Sequence, residues 1–245
     1  MRAVEVSQGD IKEAEAGVVI DLFLSYRAIK AWPDMIQLVE RMSPILAATT
    51  LIQEQLGLAL NRNGQGDEAE QVLLRLIERR GPSGETYGLV GRVYKGRWEA
   101  AKAAGDVLLA RGMLDKAIHA YVRGFETDWR DAYLGVNAVT LMEVRDPPDP
   151  RRDVPLPVVR YGVARKIARD APDYWDYATL LELAVLASDE RASLDALATA
   201  VPLIREKWEP ETTARNIRLI REARDRRGVA EPWVATIEDA LQRRA

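Results

Sequence analysis

Apolar positions recur at three- and four-residue intervals along nearly the whole chain, which is the period of an amphipathic helix. Over residues 18–30 this places Val19, Leu22, Phe23, Tyr26 and Ile29 on one face. In "AWPDMIQLVERM", Met35, Ile36, Leu38, Val39 and Met42 point inward behind Pro33, a residue suited to a first helical turn. The clearest pair follows in "TTLIQEQLGLALNRNGQGDEAEQVLLRLIERRGPSG". One helix runs to about Asn61, "NGQGD" turns the chain with Asp67 as N-cap, and a second helix runs to Arg80 before "GPSG" stops it.

That pair fits a tetratricopeptide template of about 34 residues, in which small side chains stand where two antiparallel helices touch. With Gly57 in the eighth position, Leu60 takes the eleventh, Ala69 the twentieth, Leu73 the twenty-fourth and Gly81 the thirty-second. The segment "TYGLVGRVYKGRW" starts a second copy, with Gly91 in the eighth position and Tyr94 in the eleventh. Its second helix resumes late, with Ala117 and Tyr121 in the matching places, so the spacing implies an insertion of about fourteen residues at roughly 96–111.

Two more pairs lie in "RDAYLGVNAVTLMEV" with "LPVVRYGVARKIARDAP", and in "DYWDYATLLELAVLASDERASLDALATAVPLI". The prolines of "RDPPDPRRDVPLP" are expected to keep that stretch out of helix and leave an inter-helix loop. Helices at about 211–227 and 231–244 close the chain. The expected architecture is all-α: an α-solenoid of antiparallel helix pairs with tetratricopeptide-like repeats and a concave surface. A loosely packed segment over 1–16 precedes one helical domain over 17–245, of which 205–245 form capping helices.

Composition narrows the function classes. The 245 residues are 47% apolar and 30% charged, a globular balance, with a net charge of −3 where nucleic-acid or anionic-membrane binding calls for a basic excess. There are no cysteines, which removes disulfides, thiolate metal sites and cysteine nucleophiles. The amino-terminal "MRAVEVSQGDIKEAEAG" is unlike a signal peptide, and "AGVVIDLFL", interrupted by Asp21, is too short to span a bilayer. A cytoplasmic protein with no membrane partner is expected.

No catalytic constellation emerges. The glycines Gly88, Gly91 and Gly96 have neither the Walker spacing nor the dinucleotide fingerprint. His119 is the only histidine and sits mid-helix in "KAIHAY", which suits a helix-surface residue better than a general base. Adjacent acids such as Asp67 with Glu68 stand out little among 38 acidic residues. Arg215, Arg218, Arg221 and Arg224 recur at three-residue steps opposite Ile217, Ile220 and Ala223. That helix either docks an acidic partner or is a solvated cap.

Four blocks in order, "DLFLSYRAIKAWPDMIQLVERM", "LALNRNGQGDEAEQVLLRLIE", "TYGLVGRVYKG" and "LDKAIHAYVRGFETDWRDAYLGVNAVTLM", carry a family resemblance over roughly 18–205. The chain resembles the tetratricopeptide-like TRAFs-binding domain of the apoptosis signal-regulating kinases (MAP kinase kinase kinases), a domain found also in bacterial proteins. The alanine- and arginine-rich composition hints at a bacterial version. The resemblance implies a helical-repeat regulatory module that binds a partner protein in stress or immune-type signalling. It does not imply kinase activity, because the kinase domain and the pleckstrin-homology-like domain of that family are absent from these residues.

The expected function is therefore a non-enzymatic interaction scaffold, with no cofactor and no metal, and with oligomerisation open. Arg27, Asn61, Arg62, Arg92, Lys95 and Asn137, polar residues inside the family-like blocks, are the candidate partner-binding positions. The competing expectation for the same residues is that the asparagines satisfy inter-helix hydrogen bonds and the cations are solvated. Two other readings stay open: a nucleic-acid-binding helical repeat, and a helical-toroid hydrolase with paired carboxylates.

Overall fold

In the computed structural model, which describes residues 10–169 and 171–245, the chain is all-α, with no strand among those residues. The helices are α1 (Ala16–Ala28), α2 (Trp32–Arg41), α3 (Pro44–Ala47), α4 (Thr50–Arg62), α5 (Gly66–Arg80), α6 (Gly84–Ala103) and α7 (Val107–Thr127). Beyond them come α8 (Ala132–Val144), α9 (Pro155–Arg169), α10 (Tyr174–Leu186), α11 (Glu190–Ala200), α12 (Trp208–Arg226) and α13 (Pro232–Gln242). Short 3-10 turns occupy Pro150–Asp153 and Val201–Leu203. The chain divides into two compact units, Met1–Met113 and Leu114–Ala245, and the division falls within α7.

In the first unit Phe23, Tyr26, Met35, Leu38, Ile52 and Ala59 form one apolar cluster. Part of the expected loose segment 1–16 lies outside the described residues, while Ile11 is buried in this same cluster. The expected face of α1 holds through Tyr26 but not at Ile29, which is 60% exposed. The helix has already ended at Ala28 and Lys30 turns the chain with φ 58°.

The α4–α5 hairpin shows why the repeat template needs small residues. A Cβ on Gly57 would sit 2.7 Å from Leu73 Cδ2 across the helix pair, and Ala69 is fully buried. Glycine there lets the two helices approach one another. Asp67 is not the N-cap of α5: Gln65 holds that place without a side-chain bond, and Asp67 lies in the first turn, paired with Arg97 of α6. An acid in the first turn still complements the positive end of the helix.

The inserted residues of the second repeat are not a loop. α6 continues to Ala103 and α7 begins at Val107, with Gly105 at φ 74° closing the turn between them. The additional residues lengthen both helices, to 20 and 21 residues against 13 and 15 for α4 and α5.

In the second unit α8 is buried from Leu134 to Val144. A Cβ on Gly135 would collide with Val159 of α9, so glycine again sets a close helix contact. The proline-rich segment departs from expectation. Pro150 opens a 3-10 turn, and Pro155 and Pro157 lie in the first turn of α9. The first-turn N–H groups have no intrahelical acceptor, so proline costs nothing there. α10 starts with a capping box in which Asp173 and Asp176 each bond the other's backbone N–H. It packs on α11 through Tyr174, Ala178 and Ala200. α12 buries Ala214, Ile217, Ile220 and Ala223, and α13 buries Val234, Ile237 and Leu241.

Candidate functional site

Five of the six candidate positions lie in the first unit. Arg27, near the end of α1, is exposed, and its Nη1 donates to Gln55 Oε1 of α4 at 2.9 Å. Asn61 is half-buried and Arg62 exposed in the last turn of α4, where a cation complements the helix dipole. Arg92 projects from the middle of α6 and is exposed, whereas Lys95, one turn further, is buried at 8% exposure. Asn137 lies in the second unit, inside α8, and donates to the Tyr133 carbonyl of its own helix at 2.8 Å. That bond is intrahelical, not the inter-helix bond expected of it.

The sequence does not single out the polar residues that hold the first unit's helices in register. Glu54 is buried on α4 and accepts from Thr86 Oγ1 at 2.6 Å and Ser83 Oγ at 3.4 Å, so the N-terminus of α6 is tied to α4. Ser83 Oγ also caps α6 by accepting from the Thr86 N–H. Glu70 of α5 accepts from the Tyr94 hydroxyl at 2.5 Å and pairs with Arg97, which also pairs with Asp67 at 2.6 Å. Burial and the Glu70 carboxylate push the Tyr94 hydroxyl well above its ordinary value. Of "GRVYKGRW", therefore, Tyr94, Lys95, Arg97 and Trp98 are drawn into the packing, and Arg92 remains at the surface.

The second unit has a buried polar seam. Glu143 of α8, 2% exposed, accepts from Arg224 Nε at 3.0 Å and Arg227 Nη2 at 2.5 Å, and Arg152 pairs with it as well. Arg224 also donates to the Val185 and Leu186 carbonyls at 2.9 Å each and pairs with Glu231. Its guanidinium thus closes the C-terminal end of α10, whose last carbonyls lack helical partners. Nearby, Glu182 accepts from Asn216 Nδ2 at 3.0 Å and Thr140 Oγ1 at 3.4 Å. Arg218 and Arg221 converge on Glu238 of α13 at 2.6 and 3.0 Å.

The arginine stripe of α12 is thus neither a docking face nor a solvated cap. Arg218, Arg221 and Arg224 spend their charge on Glu238, Glu143 and Glu231, and of the four only Arg215 is fully at the surface. A three-residue step drifts around a helix, so such a row crosses from the solvent side to the seam. Hints of two of the buried acids exist in the sequence: Glu143 and Glu182 each interrupt an apolar run, whereas Glu54 sits between Gln53 and Gln55. Apart from Arg152 beside Glu143, the partners that hydrogen-bond these acids lie 29 to 84 residues away, beyond any local pattern. His119 is exposed.

Helix pairs packed through small residues and locked by internal polar seams define an all-α helical-repeat domain. Its relatives say which: the chain belongs to the MAP3K TRAFs-binding domain family, whose match runs over residues 3–236. The match extends past residue 205, so α12 and the start of α13 are part of the family domain, which the resemblance over 18–205 had left out. The chain is 30% identical over 219 residues to the mitogen-activated protein kinase kinase kinase nsy-1 of Caenorhabditis elegans, covering 81% of this chain and 14% of that protein. It is 27% identical over 237 residues to mouse mitogen-activated protein kinase kinase kinase 15, covering 89% of this chain and 17% of that protein. With human mitogen-activated protein kinase kinase kinase 6 the figures are 28% over 189 residues, 70% and 14%. The chain thus spans less than a fifth of the length of these relatives.

Proposed function

We propose that this chain is a non-enzymatic protein-interaction module of a signalling pathway, of the stress or immune type, working in the cytoplasm. The observation that carries the reading is the family match over 3–236, whose description names a binding domain. Partner proteins of the TRAF kind are the first to test. No helix among the described residues is long and apolar enough to cross a membrane, which is compatible with such a role.

In this reading Arg27, Asn61, Arg62, Arg92, Lys95 and Asn137 are the partner-binding positions, of which Arg27, Arg62 and Arg92 are exposed. The test is affinity capture from the native host with mass spectrometry, run with the wild type and with Arg62→Glu/Arg92→Glu. The expected result is a protein retained by the wild type and lost from the double variant at unchanged helical content. A wild type that retains no protein, from host extract or from purified TRAF-type partners, overturns the reading.

A further inference from the structure

The outward side of α9 carries Pro157, Tyr161, Ala164 and Ala168, spaced four, three and four residues apart, and all are exposed. That spacing is the seam along which one helix packs on another. The inward side, Val159, Gly162 and Val163, is already buried, so the outer seam is a second face and not an extension of the core. Tyr161 is 58% and Val158 37% exposed, and Trp129, whose carbonyl lies beside Gly162, is 51% exposed. The small residues at 164 and 168 leave room for close approach of another backbone.

Charge flanks this seam with one sign. Residues 150–169 hold six cations, Arg151, Arg152, Arg160, Arg165, Lys166 and Arg169, against the single acid Asp153. Three of the six are committed internally: Arg151 to Asp149, Arg152 to Glu143 and Lys166 to Asp176. Arg160, on one edge of the seam, and Arg165, on the other, are exposed and have no hydrogen bond or ion pair with other described residues.

We propose that the outer face of α9 docks an amphipathic helix of an acidic partner protein. Its apolar residues lie along Pro157, Tyr161, Ala164 and Ala168, and its carboxylates pair with Arg160 and Arg165. Complementary charge at the rim of an apolar stripe selects partner and register. A second copy of this chain is the wrong occupant, because like faces would set arginine against arginine. A nucleic-acid backbone is also a poor fit, because the stripe between the two arginines is apolar apart from the Tyr161 hydroxyl, and the chain carries a net charge of −3. The inference rests on the reading of the chain as an interaction module and adds a separate surface with a stated partner chemistry.

The probe is a fluorescein-labelled helical peptide of about three heptads, leucine at its seam positions and glutamate at its flanks, with a lysine-flanked twin. Binding is read by anisotropy against the whole chain. The acidic peptide is expected to bind saturably, and its Kd to rise about tenfold or more for Arg160→Glu/Arg165→Glu and for Tyr161→Ala, a loss of about 1.4 kcal/mol or more. The lysine-flanked peptide is expected to bind the charge-reversed variant better than the wild type. All substituted side chains are exposed, and circular dichroism verifies that the variants fold.

Lack of saturable binding by the acidic peptide, or binding indifferent to both variants, overturns the proposal. So does variant-sensitive binding of duplex DNA or phosphatidylserine vesicles in place of the peptide. If a native partner is captured by the wild type and kept by Arg160→Glu/Arg165→Glu while the acidic peptide fails to bind, the α9 surface falls and the module reading stands.

Discussion

Arg224 shows how a residue's role depends on what folds over it. In sequence it is one cation in a stripe; in the fold it is 6% exposed, bonded to Glu143 and two carbonyls and paired with Glu231. Removing Arg224 takes one of three cations from buried Glu143, the cation from Glu231 and a donor from the Val185 and Leu186 carbonyls, and breaking such a buried network costs about 3–5 kcal/mol. Arg224→Ala is therefore expected to lower the unfolding free energy by about that amount in urea denaturation. Arg226→Ala, at an exposed position two residues on, should change it by no more than about 0.5 kcal/mol.

Tyr174 gives a residue-scale test with pH. Burial first, then Glu182 and Glu209, push its hydroxyl from 10.0 up to about 12, against the opposing effect of its hydrogen bond with Thr213. The fold holds the proton more tightly than the unfolded chain does. Its contribution to stability is therefore complete below about pH 10 and is lost as the pH climbs to about 12, a loss of about 3 kcal/mol. Tyrosinate absorbance should show a late component near pH 12 that Tyr174→Phe removes. A Tyr174 that ionises near pH 10 would contradict this account.

At the scale of elements the glycines divide into two kinds that look alike in sequence. Gly57 is held by Leu73 of the facing helix, so Gly57→Ala must shift that contact and is expected to cost about 1–3 kcal/mol. Gly96 and Gly112 lie within α6 and α7 with nothing near the place a Cβ would take. Gly96→Ala and Gly112→Ala should each raise stability by about 0.5–1 kcal/mol, because they only remove the helix's entropic penalty for glycine. Thermal unfolding of the three variants checks the set.

The template legibly predicted Gly57 and Ala69, because close helix contact leaves a periodic trace of small residues. It did not show that the insertion would become helix. The residues over 96–111 are interrupted by glycine, yet they are rich in alanine and leucine and adjoin established helices, so they are absorbed by extension, which costs far less than starting a new helix. Likewise, the prolines at 155 and 157 were expected to exclude helix, and a first turn accommodates both.

For the whole molecule, charge bears on the nucleic-acid reading. The net charge is −3, and the arginines of α12 are largely spent on acids of the same fold. Mobility-shift titration with duplex DNA is therefore expected to show no complex even at low salt, where phosphate contacts are strongest. A complex that dissolves steeply with added salt would restore the nucleic-acid alternative.

The sequence by itself determined the helical class, the pairing of neighbouring helices, the small residues at their contacts and the family. All of these are written in periodicity and short-range order, which the chain carries locally. Only the tertiary structure decided which charges are buried and which lie at the surface. Arg224 and Lys95 are buried, and Arg92, Arg160 and Arg165 are at the surface, although all five read as similar cations on helices. The physical reason is that burial and ion pairing are set by residues distant in sequence, as in the bond from Arg224 to Glu143 across 81 positions.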